Sequence, residues 1–166
     1  MPTPFRSRLL ACAFAAFAFA CAVDVAGASV ARPTQHEPKR MAKKKRAIGE
    51  RAAALAVREV GVPYRWGGVS PAGFDCSGLV YWAYGRLGIE LPHSSYALYD
   101  LGRRVARPTM KPGDLLFFSG LGHVGIYIGR GRMVHAPHSG TRVQVVDLRR
   151  SPYGARLTGV RRIVPR

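Results

Sequence analysis

Acidic side chains and cysteine are the two things this chain has little of. Its 166 residues include nine Asp and Glu against 26 Lys and Arg, and only three cysteines, Cys12, Cys21 and Cys76. Cys12 and Cys21 fall in an apolar N-terminal run, so Cys76 is the sole cysteine of the body of the chain. That excludes an intramolecular disulfide framework. With no second cysteine and no carboxylate at ligand spacing, no metal centre is expected, and nothing requires a cofactor. Long apolar runs are scarce as well. Leu9–Val23 is too short and too rich in alanine for a membrane span, which needs about 20 strongly apolar residues. There is no internal repeat and no low-complexity domain.

The opening, "MPTPFRSRLLACAFAAFAFACAVDVAGAS", has the form of a secretory signal peptide. Arg6 and Arg8 make a positive region, an apolar run follows, and Ala26-Gly27-Ala28 has the small-x-small pattern of a cleavage site. We expect residues 1–28 to be removed and the mature chain to be secreted. A lipid anchor at Cys21 is the variant reading, although Ala18-Phe19-Ala20 lacks the Leu or Val such a site favours. Cleavage leaves 138 residues, a single domain's worth. Residues 29–47 then hold seven Lys or Arg against one acid, Glu37, together with two prolines and no apolar periodicity. This predicts a basic disordered linker. Behind a signal peptide, a run such as "KRMAKKKR" suits an anionic wall polymer or membrane surface better than a specific nucleic acid. Residues 48–166 still carry 17 basic against 7 acidic side chains.

Residues 48–166 read as one domain. Ile48–Val60 predicts a helix, with Ala52, Leu55, Ala56 and Val60 on one face. "PYRWGGVSPAGF" reads as a loop, and "LPHSSYALYDLG" as a short helix after Pro92. Beyond Lys111 the pattern changes to strands over 114–119, 123–129, 132–136, 141–148 and 158–164. Helices followed by a run of antiparallel strands predict an α+β fold, N-terminal helices on a C-terminal sheet of about five to six strands.

Cys76 stands in "FDCSG". Its neighbours Asp75 and Ser77 tolerate deep burial only when paired. Leu79, Val80, Trp82, Ala83 and Leu87 follow at helical spacing, with Asp75 suited to the N-cap and Gly88 to the stop. Cys76 therefore falls in the first turn of a helix. The unpaired N–H groups and the macrodipole there favour an anion, so the thiol is expected to ionise below its free value of about 8.5. This favours a nucleophile over a small buried hydrophobe. A thiol hydrolase needs an imidazole to take the proton and a third polar group to orient that ring. Of His36, His93, His123, His135 and His138, only His123 and His135 sit on consecutive predicted strands. Val124, Ile126 and Ile128 share the core face, so His123, Gly125 and Tyr127 look the other way. A three-residue loop, Gly129-Arg130-Gly131, would set His135 opposite Gly125 and bring the imidazoles together, with Cβ atoms about 7 Å apart. A two-residue turn at Arg130-Gly131 would instead throw them onto opposite faces.

The blocks "GVPYRWGG", "FDCSGLVYWAY", "KPGDLLFF", "HVGIYIG" and "MVHAP", in that order over about Ile48–Val164, resemble the NlpC family of bacterial cell-wall cysteine peptidases. The resemblance implies a papain-like α+β fold acting in the cell wall or periplasm. It also implies hydrolysis of amide bonds in peptidoglycan stem peptides, usually between γ-D-glutamate and a diamino acid. It implies Cys76 as nucleophile, His123 as general base and then acid, and His135 as the orienting residue. Tyr64 would serve the oxyanion site, and Asp75 and Ser77 would meet the polar end of the stem peptide. A monomer is expected. In "LPHSSYAL", where many relatives have Arg and Gln, this chain has His93 and Leu98, which bears on substrate preference. Two other classes stay open: a thiol amidase or transpeptidase acting on another wall bond, and a non-catalytic wall-binding module.

Overall fold

Alanine, lysine, arginine and methionine dominate residues 39–56, and all are strong helix formers. In the computed structural model, which describes residues 36–163 and their side chains from Ala47 onward, helix α1 accordingly spans His36–Arg58. The stretch read from sequence as disordered linker is thus helical from His36. Pro38 does not break it, because it lies in the first turn, where a missing N–H removes no intrahelical bond. The predicted signal peptide, Cys21 and residues 29–35 lie outside the described residues. At its other end α1 stops at Arg58, so Val60 falls beyond the helix and stands 48% exposed. Ala52, Ala53 and Ala56 make the buried face.

Helix α2 spans Cys76–Gly85. Asp75 caps it, its carboxylate accepting the Gly78 N–H at 2.7 Å. The chain leaves the helix through Gly88, in the left-handed region at φ 74°, with Gly88 N–H donating to Gly85 O and Ile89 N–H to Tyr84 O. That pair of bonds is a Schellman stop and satisfies carbonyls the helix end leaves free. Leu79, Val80, Ala83 and Tyr84 are buried. Helix α3 spans Ser95–Asp100, and Ser94 caps it.

Two short strands, β1 (Val69–Ser70) and β2 (Gly73–Phe74), form an antiparallel hairpin inside the stretch predicted as loop. The main sheet contains β3 (Arg103–Arg104), β4 (Leu115–Phe118), β5 (His123–Gly129), β6 (Arg132–His135), β7 (Gln144–Asp147) and β8 (Leu157–Arg162). Its order is β3-β8-β4-β5-β6-β7, antiparallel throughout. Both faces are covered. Leu115, Phe117, Val124, Ile126 and Val134 pack with α1 and α2, while Leu116, Phe118, Tyr127, Met133, Leu148 and Val160 form a second apolar cluster on the opposite face. Each large side chain removed from water contributes about 1.5–3 kcal/mol.

The β5–β6 connection is tighter than predicted. Gly129 pairs with Arg132 across a two-residue turn, Arg130-Gly131, both with positive φ. A bulge between Tyr127 and Gly129 then shifts the register back by one, so Ile126 pairs with Val134. This register faces His135 toward Gly125, where a Cβ on the glycine would lie 3.3 Å from the His135 Cβ. The bulge does what the sequence reading assigned to a longer loop.

Gly78 shows why α2 meets the segment before β1 so closely. A Cβ there would sit 1.9 Å from the Gly68 carbonyl oxygen, which is itself held by the Asp75 N–H at 3.1 Å. In an open helix Gly→Ala stabilises by about 1 kcal/mol. Here Gly78→Ala should destabilise by about 1–3 kcal/mol, as overpacking does. Urea unfolding checks the sign; an unchanged or raised midpoint would contradict this contact.

Candidate active site

Cys76 is the first residue of α2 and is half-buried. Its sulfur is within reach of three backbone N–H groups, those of Val124, Ser77 and Cys76 itself. The thiol lines a cleft of about 490 Å³ together with Trp66, Asp75, Ser77, His93 and Gly122. His123 lies between Gly122, on the cleft wall, and Val124, whose N–H favours the thiolate.

His123 Nε2 and His135 Nδ1 are 2.9 Å apart, and the rings meet edge to face with centroids 5.1 Å apart. The contact occupies Nε2 of His123 and leaves its Nδ1 for another partner. His135 is fully buried, and its Nε2 has no hydrogen-bond partner. Burial drives both imidazoles toward the neutral form, with His138 adding repulsion to each and His123 adding it to His135. The pKa falls to about 4 for His123 and about 3 for His135.

The thiol departs from the expectation for a helix start. Burial pushes it above the ordinary thiol value, and the Asp75 charge acts in the same direction; the three N–H groups oppose both without prevailing. Desolvation disfavours the anion here more than one helix end favours it. The free protein therefore holds a neutral thiol and a neutral imidazole pair. Its alkylation by iodoacetamide should accelerate about ten-fold per pH unit from 6 to 8, following the thiolate fraction. A rate flat across that range would show a thiolate–imidazolium pair instead.

Asp75 is engaged from several sides. It accepts from Gly67 N–H at 2.9 Å, Gly78 N–H at 2.7 Å and the Ser77 hydroxyl at 3.1 Å. His93 Nε2 lies 2.9 Å from both of its oxygens. Burial alone would raise the carboxyl. The hydrogen bonds from His93, Gly78 and Ser77, with the charge on His93, outweigh it and hold the group below the usual carboxylate range. Ser77 is buried beside it. Tyr64 packs at the edge of the core, its hydroxyl pushed up by burial and by the charges of Cys76 and Asp75, which places it in their electrostatic neighbourhood.

The sequence reading did not single out Tyr153, Trp66 or Tyr96, and it met His93 only as a departure from a pattern. Tyr153 covers the histidine pair, with ring centroids 4.8 Å from His135 and 5.6 Å from His123. Trp66, 88% exposed, and Tyr96, 59% exposed, stand on the cleft wall. Among the described residues no three His, Cys, Asp or Glu side chains gather as a metal site.

The half-buried thiol stands at a helix start and the paired imidazoles on the sheet of an α+β domain. The chain belongs to the NlpC/P60 family, whose model matches residues 61–162. It is 52% identical over 103 residues to the probable endopeptidase Rv2190c of Mycobacterium tuberculosis, covering 60% of this chain and 27% of that protein. It is 39% identical over 117 residues to the murein DD-endopeptidase MepH of Escherichia coli, covering 65% and 43%. The chain thus spans between about a quarter and under half of these curated relatives. Among solved structures, the P60 domain of a Mycobacterium avium subspecies paratuberculosis antigen superposes with a TM-score of 0.64 at 32% identity, covering 74% of this chain and 99% of that one.

Proposed function

We propose that this chain is a secreted peptidoglycan hydrolase, a cysteine endopeptidase that cuts an amide bond in wall stem peptides, the γ-D-glutamyl–diamino acid bond. The observation that carries this reading is the 2.9 Å His123–His135 contact beside the Val124 N–H that meets the Cys76 sulfur. Relatives named as endopeptidases, and a Bacillus subtilis relative named gamma-D-glutamyl-L-lysine dipeptidyl-peptidase (38% identical over 109 residues, covering 62% of this chain and 37% of that protein), support the substrate class.

His123 Nδ1 takes the Cys76 proton as the sulfur attacks the scissile carbonyl carbon. The hydroxyl of Tyr64 and the N–H of Cys76 hold the oxyanion. The C–N bond breaks, and His123 returns its proton to the leaving amine. Water, deprotonated by His123, then attacks the thioester and releases a carboxylic acid and the free thiol. His135 keeps the His123 ring oriented throughout. Asp75 and Ser77, beside His93 in the cleft, receive the polar end of the stem peptide. The basic residues 29–47 hold the secreted enzyme near anionic wall polymers or the membrane surface. Digestion of purified wall fragments tests the reading by mass spectrometry. New termini at D-glutamate and the diamino acid are expected; cleavage only at another bond would overturn the assignment.

A further inference from the structure

Cys76 opens α2, and the far end of the same ten-residue helix, about 15 Å away at 1.5 Å per residue, borders a second pocket. This pocket lies between α1 and α2, has a volume of about 290 Å³, and is lined by Arg51, Ala54, Leu55, Arg58, Arg86 and Leu87. Three of the six are arginines and none is acidic. All three arginines are exposed. Among the described residues, none of their side chains makes a hydrogen bond or ion pair, whereas Arg149 meets Asp147, Arg162 meets Asp114 and Arg161 lies over the Tyr99 ring.

Three guanidinium groups around one concavity repel each other until an anion enters. Their planar forks match the several oxygens of a phosphate, each able to give two parallel hydrogen bonds. Ala54, Leu55 and Leu87 leave an apolar floor suited to carbon. The volume exceeds that of a bare phosphate and falls just short of an ordinary small-molecule site. A phosphate group with its flanking polyol or sugar carbons fits that description. A bilayer surface does not, because the arginines ring a concavity and Leu55 and Leu87 pack partly into the core rather than protruding. We infer that this pocket is an anchoring site, separate from the cleft, for a phosphate-bearing polymer, with Arg51, Arg58 and Arg86 gripping one phosphate unit.

The test uses the full chain and inorganic polyphosphate as probe, with residues 29–47 intact in every variant. Arg51→Gln/Arg58→Gln/Arg86→Gln should bind polyphosphate at least ten-fold more weakly at moderate salt. A charge-matched control, Arg103→Gln/Arg104→Gln/Arg150→Gln, should stay within two-fold of the parent. Both triple variants should melt within a few degrees of the parent, since all six positions are exposed. Equal weakening in both would reduce the effect to net charge, and no weakening in the first would remove the site; either result overturns the proposal. Binding to phosphatidylglycerol vesicles should survive the pocket substitutions within two-fold. Loss of vesicle binding with polyphosphate affinity retained would assign the arginines to a membrane and likewise overturn it. These readouts are independent of hydrolysis.

Discussion

Cys76→Ala is expected to remove hydrolysis of stem peptides by at least about 10⁴-fold while leaving the fold in place. The sulfur is the only group at the cleft positioned to form a thioester, and Ala suits the first turn of α2. The half-buried position loses one polar atom beside backbone N–H groups at a helix end and a strand start, which water in the open cleft can satisfy. His123→Ala should come close to the same loss, because in this mechanism His123 is the group that takes the proton from the thiol and returns it to the leaving amine. His135→Ala should cost less, since it acts only by holding His123. A melting temperature within a few degrees of the parent, alongside lost turnover, checks the first substitution. Substantial activity in the purified variant would remove Cys76 from the chemistry.

The second large effect is on stability in mild acid. His123 and His135 are buried neutral, with folded pKa values of about 4 and about 3 against 6.5 when free. Their folded values are depressed, so between pH 6.5 and 4 the unfolded chain binds protons that the folded chain refuses. Stability is full above 6.5 and falls as the pH drops through this window. One ring shifted by two units or more is worth about 3 kcal/mol, and the two rings titrate as a coupled pair. We expect the parent to lose at least about 3 kcal/mol between pH 6.5 and 4, and His123→Gln/His135→Gln to show a much flatter profile. Denaturant unfolding at a series of pH values measures both. A parent profile as flat as the variant's would mean that the rings are not buried neutral.

Much of this was legible in the chain because it is local. Asp75 before a helical stripe and Gly88 after it set both ends of α2, and alternating Val124, Ile126 and Ile128 set β5 over His123–Gly129. What escaped depends on partners distant in sequence. The β5–β6 register depends on a bulge, which no two-residue turn signal announces. The thiol's shift depends on its burial and on the Asp75 charge, opposed by the N–H of Val124, 48 positions away, and the state of Asp75 depends on His93, 18 positions away. Tyr153 reaches the histidine pair only because its short 3₁₀ turn (Pro152–Gly154) folds back beside Phe118, their ring centroids 5.1 Å apart. The two-residue strands β1, β2 and β3 are too short to leave a periodic signal. In the basic run of α1, high charge density coexists with high helix propensity, and the propensity prevails.

The central claim is that the Cys76 sulfur, served by His123 and His135, carries the acyl half of a stem peptide during turnover. Mass spectrometry of the protein, acid-quenched while it digests a purified stem peptide, tests it most directly. The account predicts a mass increase equal to the acyl fragment, located on the peptide containing Cys76 and absent in Cys76→Ala. The same fragment found on any other residue would contradict it.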